Sequence, residues 1–204
     1  DSFGNTTTVN YDPLDVYVRS SSDALGNTVS VTRFDYRVLA PVEMVDPSGN
    51  HSAVSVDTLG MVVASAVTGK GDGTEGDDLT GFDDDLANPP AGEVHTFCTD
   101  RVMNEPLARA WLNRATARFV YHFGEGRDAN GHVTGWETCP AGACGIVREV
   151  HATAIGGSNG PLQVSLECAD GAGNVLMKKV QAEPEHEGGA LRWIINGLTI
   201  FNNK

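Results

Sequence analysis

Leu162-Gln163-Val164-Ser165-Leu166-Glu167-Cys168-Ala169-Asp170-Gly171-Ala172-Gly173-Asn174 is the stretch whose reading decides the fold. Leu162, Val164, Leu166 and Cys168 alternate with Gln163, Ser165 and Glu167, the period of two expected of a strand with one dry face. Asp170 to Asn174 then reads as a tight turn. An aspartate at the first position accepts hydrogen bonds from the turn's own amides, and a glycine at the fourth takes a positive φ without a Cβ clash. Val175 to Ala182 follows as a second strand, so the stretch predicts a β-hairpin.

The same turn recurs at Asp23–Gly26, Asp46–Gly49, Asp57–Gly60 and Asp128–Gly131 besides Asp170–Gly173, five copies in all. All but the third place Asn or His after the Gly. Strand-like residues flank Asp46, Asp57 and Asp170 on both sides. Further strands are expected at Asp15–Arg19, Thr28–Leu39, Ala53–Val56, Met61–Val67, Arg118–Phe123, Ile146–Ala154 and Trp193–Phe201, the last kinked near Gly197. In Thr28–Leu39 the apolar parity slips between Val29/Val31 and Phe34/Tyr36/Val38, which predicts a bulge. One short helix is expected near 105–115, capped by Asn104 or Glu105, with Pro106 in its first turn and Leu107, Ala110 and Trp111 on one face. The fold class is therefore mostly β, an antiparallel hairpin array with one short helix.

The 204 residues carry a net charge of -13 and 40% hydrophobic residues, enough for a real core. An acidic surface argues against nucleic acid and anionic membranes as partners, and no run reaches the roughly 20 apolar residues of a membrane helix. The first residues lack the charged and apolar regions of a signal peptide, so the chain is expected to begin inside a mature protein. Asp72, Glu75, Asp77, Asp78, Asp83, Asp84 and Asp85, seven acids without an intervening base, account for about half of the imbalance. With Asn88-Pro89-Pro90-Ala91-Gly92 they read as an exposed acidic loop or linker over 71–93, dividing an N-terminal hairpin segment, 1–70, from a C-terminal one, 94–204.

Candidate sites are few. Asp72, Asp77 and Asp78 offer hard oxygens suited to Ca²⁺, but their spacing does not follow the twelve-residue calcium loop, and a solvated loop is the plainer reading. Cys139 and Cys144 are separated by Pro140-Ala141-Gly142-Ala143, which can bring two Cα atoms within about 6 Å for a disulfide. Free thiols, or half a zinc site with Cys98 and a histidine, remain open for them. His51, His95, His122, His132, His151 and His186 lie in no hydrolase, metalloprotease or phosphate-loop spacing. Neither catalysis nor a cofactor is expected. Trp111, Trp136 and Trp193 stand singly and are expected in cores.

The residues between the turns carry a resemblance. Asp35-Tyr36-Arg37-Val38-Leu39-Ala40-Pro41, Asp46-Pro47-Ser48-Gly49-Asn50, Leu59-Gly60-Met61-Val62-Val63-Ala64, Glu75-Gly76-Asp77-Asp78-Leu79, Lys179-Val180-Gln181-Ala182-Glu183-Pro184 and Arg192-Trp193-Ile194-Ile195-Asn196-Gly197, running on to Asn202-Asn203-Lys204, keep one order along the chain. Together they resemble the Rhs/YD-repeat region of the insecticidal toxin-complex (Tc) B component, the middle region of a SpvB-like toxin, from about Tyr11 to Lys204. The turn at Asp170 departs from that pattern, with Ala172 and Asn174 where an aromatic and a basic residue are more usual.

The resemblance implies one section of a hollow shell of β-strands around a toxic C-terminal segment. It implies a secreted, non-enzymatic protein whose partners are the remainder of its own polypeptide and the toxin-complex A and C components, with no membrane insertion by this segment. The family's aspartyl autoprotease lies outside the matched region. The rival expectation is an autonomous secreted β-domain that grips a host or partner protein through loops 70–93 or 124–145. A hydrolase with an unrecognised site is the third.

Overall fold

The computed structural model describes residues 4–70, 75–128, 132–136, 140–170 and 172–200. It resolves into two units: residues 1–81, 114–116 and 151–159 form the first, and 82–113, 117–150 and 160–204 the second.

Unit 1 is an antiparallel meander of β1 (Thr8–Tyr11), β2 (Val18–Ser22), β3 (Thr28–Asp35), β4 (Ala40–Val45), β5 (Asn50–Val56) and β6 (Val62–Lys70). Each strand pairs with the next in sequence. The parity slip expected in Thr28–Leu39 is present as register shifts at Val31/Arg33 and Arg33/Phe34. That strand stops at Asp35, because residues 36–39 turn the chain back with Leu39 at φ 52°. β4 is the strand expected before the Asp46 turn, β1 is additional to the expected strands, and β2 begins three residues later than expected. Among the described residues of β1 to β5 the buried apolar side chain is Val42, whereas β6 buries Val63, Ala64 and Ala66.

Unit 2 orders its main sheet β7 (Ala117–His122), β10 (Ala141–Arg148), β11 (Leu162–Ala169), β12 (Val175–Ala182) and β13 (Arg192–Leu198). A separate two-stranded hairpin joins β8 (Gly126–Arg127) to β9 (Val133–Gly135). β11 shows the alternation read from its sequence: Leu162, Val164, Leu166 and Cys168 are buried while Gln163 and Glu167 are exposed. The kink in β13 is a bulge. Met177 pairs with Leu198 and Lys179 with Ile195, and Gly197 absorbs the extra residue at φ 102°.

Among the described residues three helical segments accompany this sheet, not one. α3 (Glu105–Leu112) is the expected helix; the Asn104 side chain accepts from the Leu107 amide at 3.2 Å, Pro106 lies in the first turn, and Ala108, Trp111 and Leu112 are buried. α1 (Asp84–Ala87) is a single turn capped by Asp83, and α2 (Ala91–Thr99) buries Val94 and Phe97. The Pro-Pro-Ala-Gly run is not the expected linker: Pro90 holds the N-cap position of α2, where its missing N–H costs nothing. Phe97 packs on Trp111 at 5.0 Å and edge-on to Trp193 at 5.9 Å.

Three further expectations are corrected. The acidic run is not uniformly solvated, since Asp77 is fully buried and Asp83 caps a helix. Ile146–Ala154 is not one strand: β10 starts earlier, at Ala141, and residues 149–154 leave the sheet. Trp136 is 71% exposed rather than packed in a core.

Candidate functional site

The aspartate turns share one geometry. At Asp46 the Gly49 amide donates to the Asp46 carbonyl at 3.0 Å, and the Asp46 amide donates to the Asn50 carbonyl at 3.0 Å. One carboxylate oxygen accepts from the Ser48 and Asn50 amides at 2.8 and 2.9 Å, and the other accepts from Asn50 Nδ2 at 2.8 Å. Asp23 repeats this set with Leu25 and Asn27, and Asp170 with Ala172 and Asn174. Asp57 does so with the amides of Leu59 and Met61. At Asp128 the His132 amide donates at 2.9 Å and its ring lies at 3.4 Å; Gly131 and Gly171 lie outside the described residues. Gly26, Gly49, Gly60 and Gly173 all sit at φ between 83° and 85°.

The carboxyl groups of Asp23, Asp46 and Asp170 are held below the usual carboxylate range. The asparagine side chain that closes each turn is the largest cause, followed by that asparagine's amide.

Two turns of the same class escaped the sequence reading because neither has glycine at its left-handed position. Asp12, 2% exposed, accepts from the amides of Leu14, Val16 and Tyr17 at 3.2, 2.6 and 3.0 Å, with Asp15 at φ 54°. Asp35 accepts from the Arg37 amide at 2.8 Å, with Leu39 as its left-handed residue. The signal that finds them is spacing: aspartates at 12, 23, 35, 46 and 57 open a turn every eleven or twelve residues.

In a meander, alternate turns fall at the same end of the strands, so Asp12, Asp35 and Asp57 share one end and Asp23 and Asp46 the other. The first three are tied together. The Tyr36 hydroxyl donates to Asp12 Oδ2 at 3.0 Å, and Arg37 Nη1 donates to the carbonyls of Asp57 and Thr58 at 2.8 and 3.0 Å. Tyr17 stacks on Phe34 at 3.8 Å, and Tyr36 meets Phe34 edge-on at 5.0 Å. Burial raises the Asp12 carboxyl, but the amides of Tyr17, Val16 and Leu14 and the Tyr36 hydroxyl outweigh it and leave the group lowered. The Tyr36 phenol is pushed up, by burial first and then by Asp12.

The candidate calcium ligands have protein partners instead. Asp77 accepts from His151 Nδ1 at 2.9 Å, the Ala152 amide at 2.6 Å and the Thr116 hydroxyl at 2.7 Å. Asp78 pairs with Arg114 at 2.5 Å, which lowers its carboxyl and raises the guanidinium. Both aspartates thereby hold the excursions 114–116 and 151–159 within unit 1. Among the described residues no group of three or more His, Cys, Asp or Glu is placed to hold a metal ion; Asp72 lies outside them.

His122 ends β7 as expected, and its ring lies 3.3 Å from that of His95. His151 sits in a turn rather than on a strand. Cys144 is a thiol buried on β10; burial, and secondarily Cys98, push it well above its ordinary range. Cys139, the other half of the expected disulfide, lies outside the described residues. Missed entirely was Arg118, fully buried on β7, whose guanidinium donates to the carbonyls of Phe119 and Leu86 at 2.5 Å each and lies 5.2 Å from the Phe82 ring centre.

No protein-family model and no curated relative matches the chain. Solved structures do. A chain of the Photorhabdus luminescens Tc holotoxin pore, determined with a TccC3 mutation, is similar with a TM-score of 0.69 and 15% identity. A chain of the TcdB2–TccC3–Cdc42 crystal structure is similar with a TM-score of 0.62 and 14% identity. Each likeness covers 97% of this chain but 11% of the other. Across nearly its whole length, then, this mostly antiparallel β chain has the fold of a short segment of far longer toxin-complex chains.

Proposed function

We propose that this chain is a non-enzymatic section of a secreted toxin-complex shell, a stretch of the wall that encloses a toxic C-terminal segment. One observation carries the reading: 97% of the chain follows a segment that makes up 11% of a holotoxin chain, so its counterpart there is a part of a larger body. The local physics supports it. Unit 1 is a strand meander with few buried side chains, held in register by aspartate turns and by the Asp12–Tyr36 and Arg37–Asp57 ties along one end. Such a construction suits a thin extended wall, whereas an autonomous domain needs a closed core. Its partners are the rest of its own polypeptide and the A and C components.

The test compares the chain alone with the chain expressed between its native flanking sequences and a C component. The expected results are self-association of the isolated chain in light scattering, and a hollow particle in electron micrographs of the full assembly. A monodisperse monomer, together with no hollow particle, overturns the reading.

A further inference from the structure

At one end of the unit 1 meander every turn carries an exposed leucine. Leu14, Leu39 and Leu59 stand in the turns opened by Asp12, Asp35 and Asp57, and they are 69%, 66% and 70% exposed. Val16 lies exposed in the first of these turns as well. The opposite end has no such row: Leu25 lies in the Asp23 turn, but the Asp46 turn holds Pro47, Ser48 and Gly49.

These leucines are held in place. The Leu14 amide donates to Asp12 Oδ2 at 3.2 Å, and the Leu59 amide to Asp57 Oδ1 at 2.9 Å. The Tyr36 hydroxyl on Asp12, and Arg37 on the Asp57 and Thr58 carbonyls, lock successive turns together. Neighbouring strands lie about 4.8 Å apart, so turns at every second strand repeat at about 9.5 Å. The result is an apolar ridge along the strand ends, ordered before any partner arrives. Leu39 carries a further sign of use. It sits at φ 52°, a left-handed conformation in which a bulky side chain is strained and glycine or asparagine is at ease. Its exposure means that packing within unit 1 returns little of that cost, and strain kept without local gain points to a contact made outside the unit.

We propose that the ridge of Leu14, Leu39 and Leu59 is a seam, which packs against a second row of hairpin turns within the same wall polypeptide. Such a seam presupposes the wall reading above, because a strand sheet encloses a space only where its strand ends meet further wall. Two features choose this occupant. Period is the first: turns of another strand meander repeat at the same spacing of about 9.5 Å, whereas residues seven apart on a helix repeat at about 10.5 Å and drift out of step. Size is the second. Three leucines and a valine cover far less than the roughly 1,200–2,000 Å² that a stable free-standing interface buries, so a second copy would not stay bound. Within one polypeptide the chain connection supplies the effective concentration that so small a contact needs.

The test uses the chain between its native flanking sequences, assembled with a C component. A Leu14→Asn, Leu39→Asn, Leu59→Asn triple variant should fold, because all three side chains are exposed and asparagine suits φ 52°. Its hollow particle should open at the seam, and a protease should digest the enclosed segment at least about tenfold faster than in the wild-type particle. Leu25→Asn, at the other end, should leave that rate unchanged. A benzophenone side chain in place of Leu39 provides a second readout: on irradiation it should cross-link to a turn elsewhere in the same polypeptide. Wild-type protection in the triple variant, or cross-links to the enclosed segment, to a second copy or to nothing, overturns the seam and leaves the wall reading standing. Absence of a hollow particle from the wild-type chain overturns both.

Discussion

Replacing Asp77 by alanine should unfold unit 1 selectively, with a cost that can be built from its bonds. The side chain is fully buried and holds the Ala152 amide, the Thr116 hydroxyl and the His151 ring. The amide and the hydroxyl each lose a charged acceptor, at about 1.5 kcal/mol apiece. The His151 side chain is 56% exposed and turns to water, so its loss adds little. The vacated volume adds about 1 kcal/mol, giving a total of about 4 kcal/mol. Asp77→Asn keeps Oδ1 for the Ala152 amide and can donate from Nδ2 to His151, and should cost about half as much. With a urea slope of about 2–3 kcal/mol/M, the alanine variant moves the midpoint down by roughly 1.3–2 M. All three tryptophans lie in unit 2, so the shift should show in far-UV circular dichroism and much less in tryptophan fluorescence. Proteolysis should open the chain within 151–159. A midpoint within about 1 kcal/mol of wild type, or an asparagine variant as costly as alanine, refutes the assignment of Asp77 as the anchor of both excursions.

Gly49→Ala meets open space at φ 83° and should lower stability by about 1 kcal/mol. Gly60→Ala, at φ 85°, puts a Cβ 2.8 Å from Val38 Cγ1 and should cost about 1 kcal/mol more, so paired thermal melts separate strain from packing. Because Asp23, Asp46 and Asp170 are lowered on folding, their contribution is full above the ordinary carboxylate value of about 3.9 and fades as pH falls below it; the triple Asp→Asn variant should flatten that acid limb in melts from pH 7 to 3. Arg118→Met leaves the Leu86 and Phe119 carbonyls without their donor and should destabilise unit 2 by about 3 kcal/mol in urea titrations followed by tryptophan fluorescence. In native alkylation followed by mass mapping, Cys144 should stay unlabelled until the chain is denatured, because it is buried and its thiolate is disfavoured.

What the sequence displayed were the devices that act over a few residues. β11 and β12 were legible because alternation and the Asp170 turn are local, and α3 because Asn104 and Pro106 punctuate it. The bulge in β3 could be read because the pleat forces a parity change. Hidden from the sequence was what depends on long-range partners. Asp77 looks like any other acid in a charged run until Thr116 and His151 arrive from 39 and 74 residues away. α2 was masked by proline and glycine, and the turn at Asp12 by an aspartate standing where glycine was expected.

The two units are stabilised by different means, and this bears on what an enclosing wall requires. Unit 2 buries Val120, Ile146, Val164, Leu166, Phe97, Trp111 and Leu112 between sheet and helices, so its register follows from apolar packing. Across β1 to β5 unit 1 has almost no such core, and a sheet half-exposed on both faces is free to slip by a residue. The aspartate turns remove that freedom. Each carboxylate fixes the residue at which the chain reverses, and the fixed loop length then sets the pairing of the strands it joins. The Asp12–Tyr36 and Arg37–Asp57 bonds link each turn to the next one at the same end, so a slip in one hairpin would have to break its neighbour's ties as well. Register is thus specified along the strand ends, and both faces of the meander stay available to contact something else. That is the property a single-layer wall needs and a closed sandwich lacks.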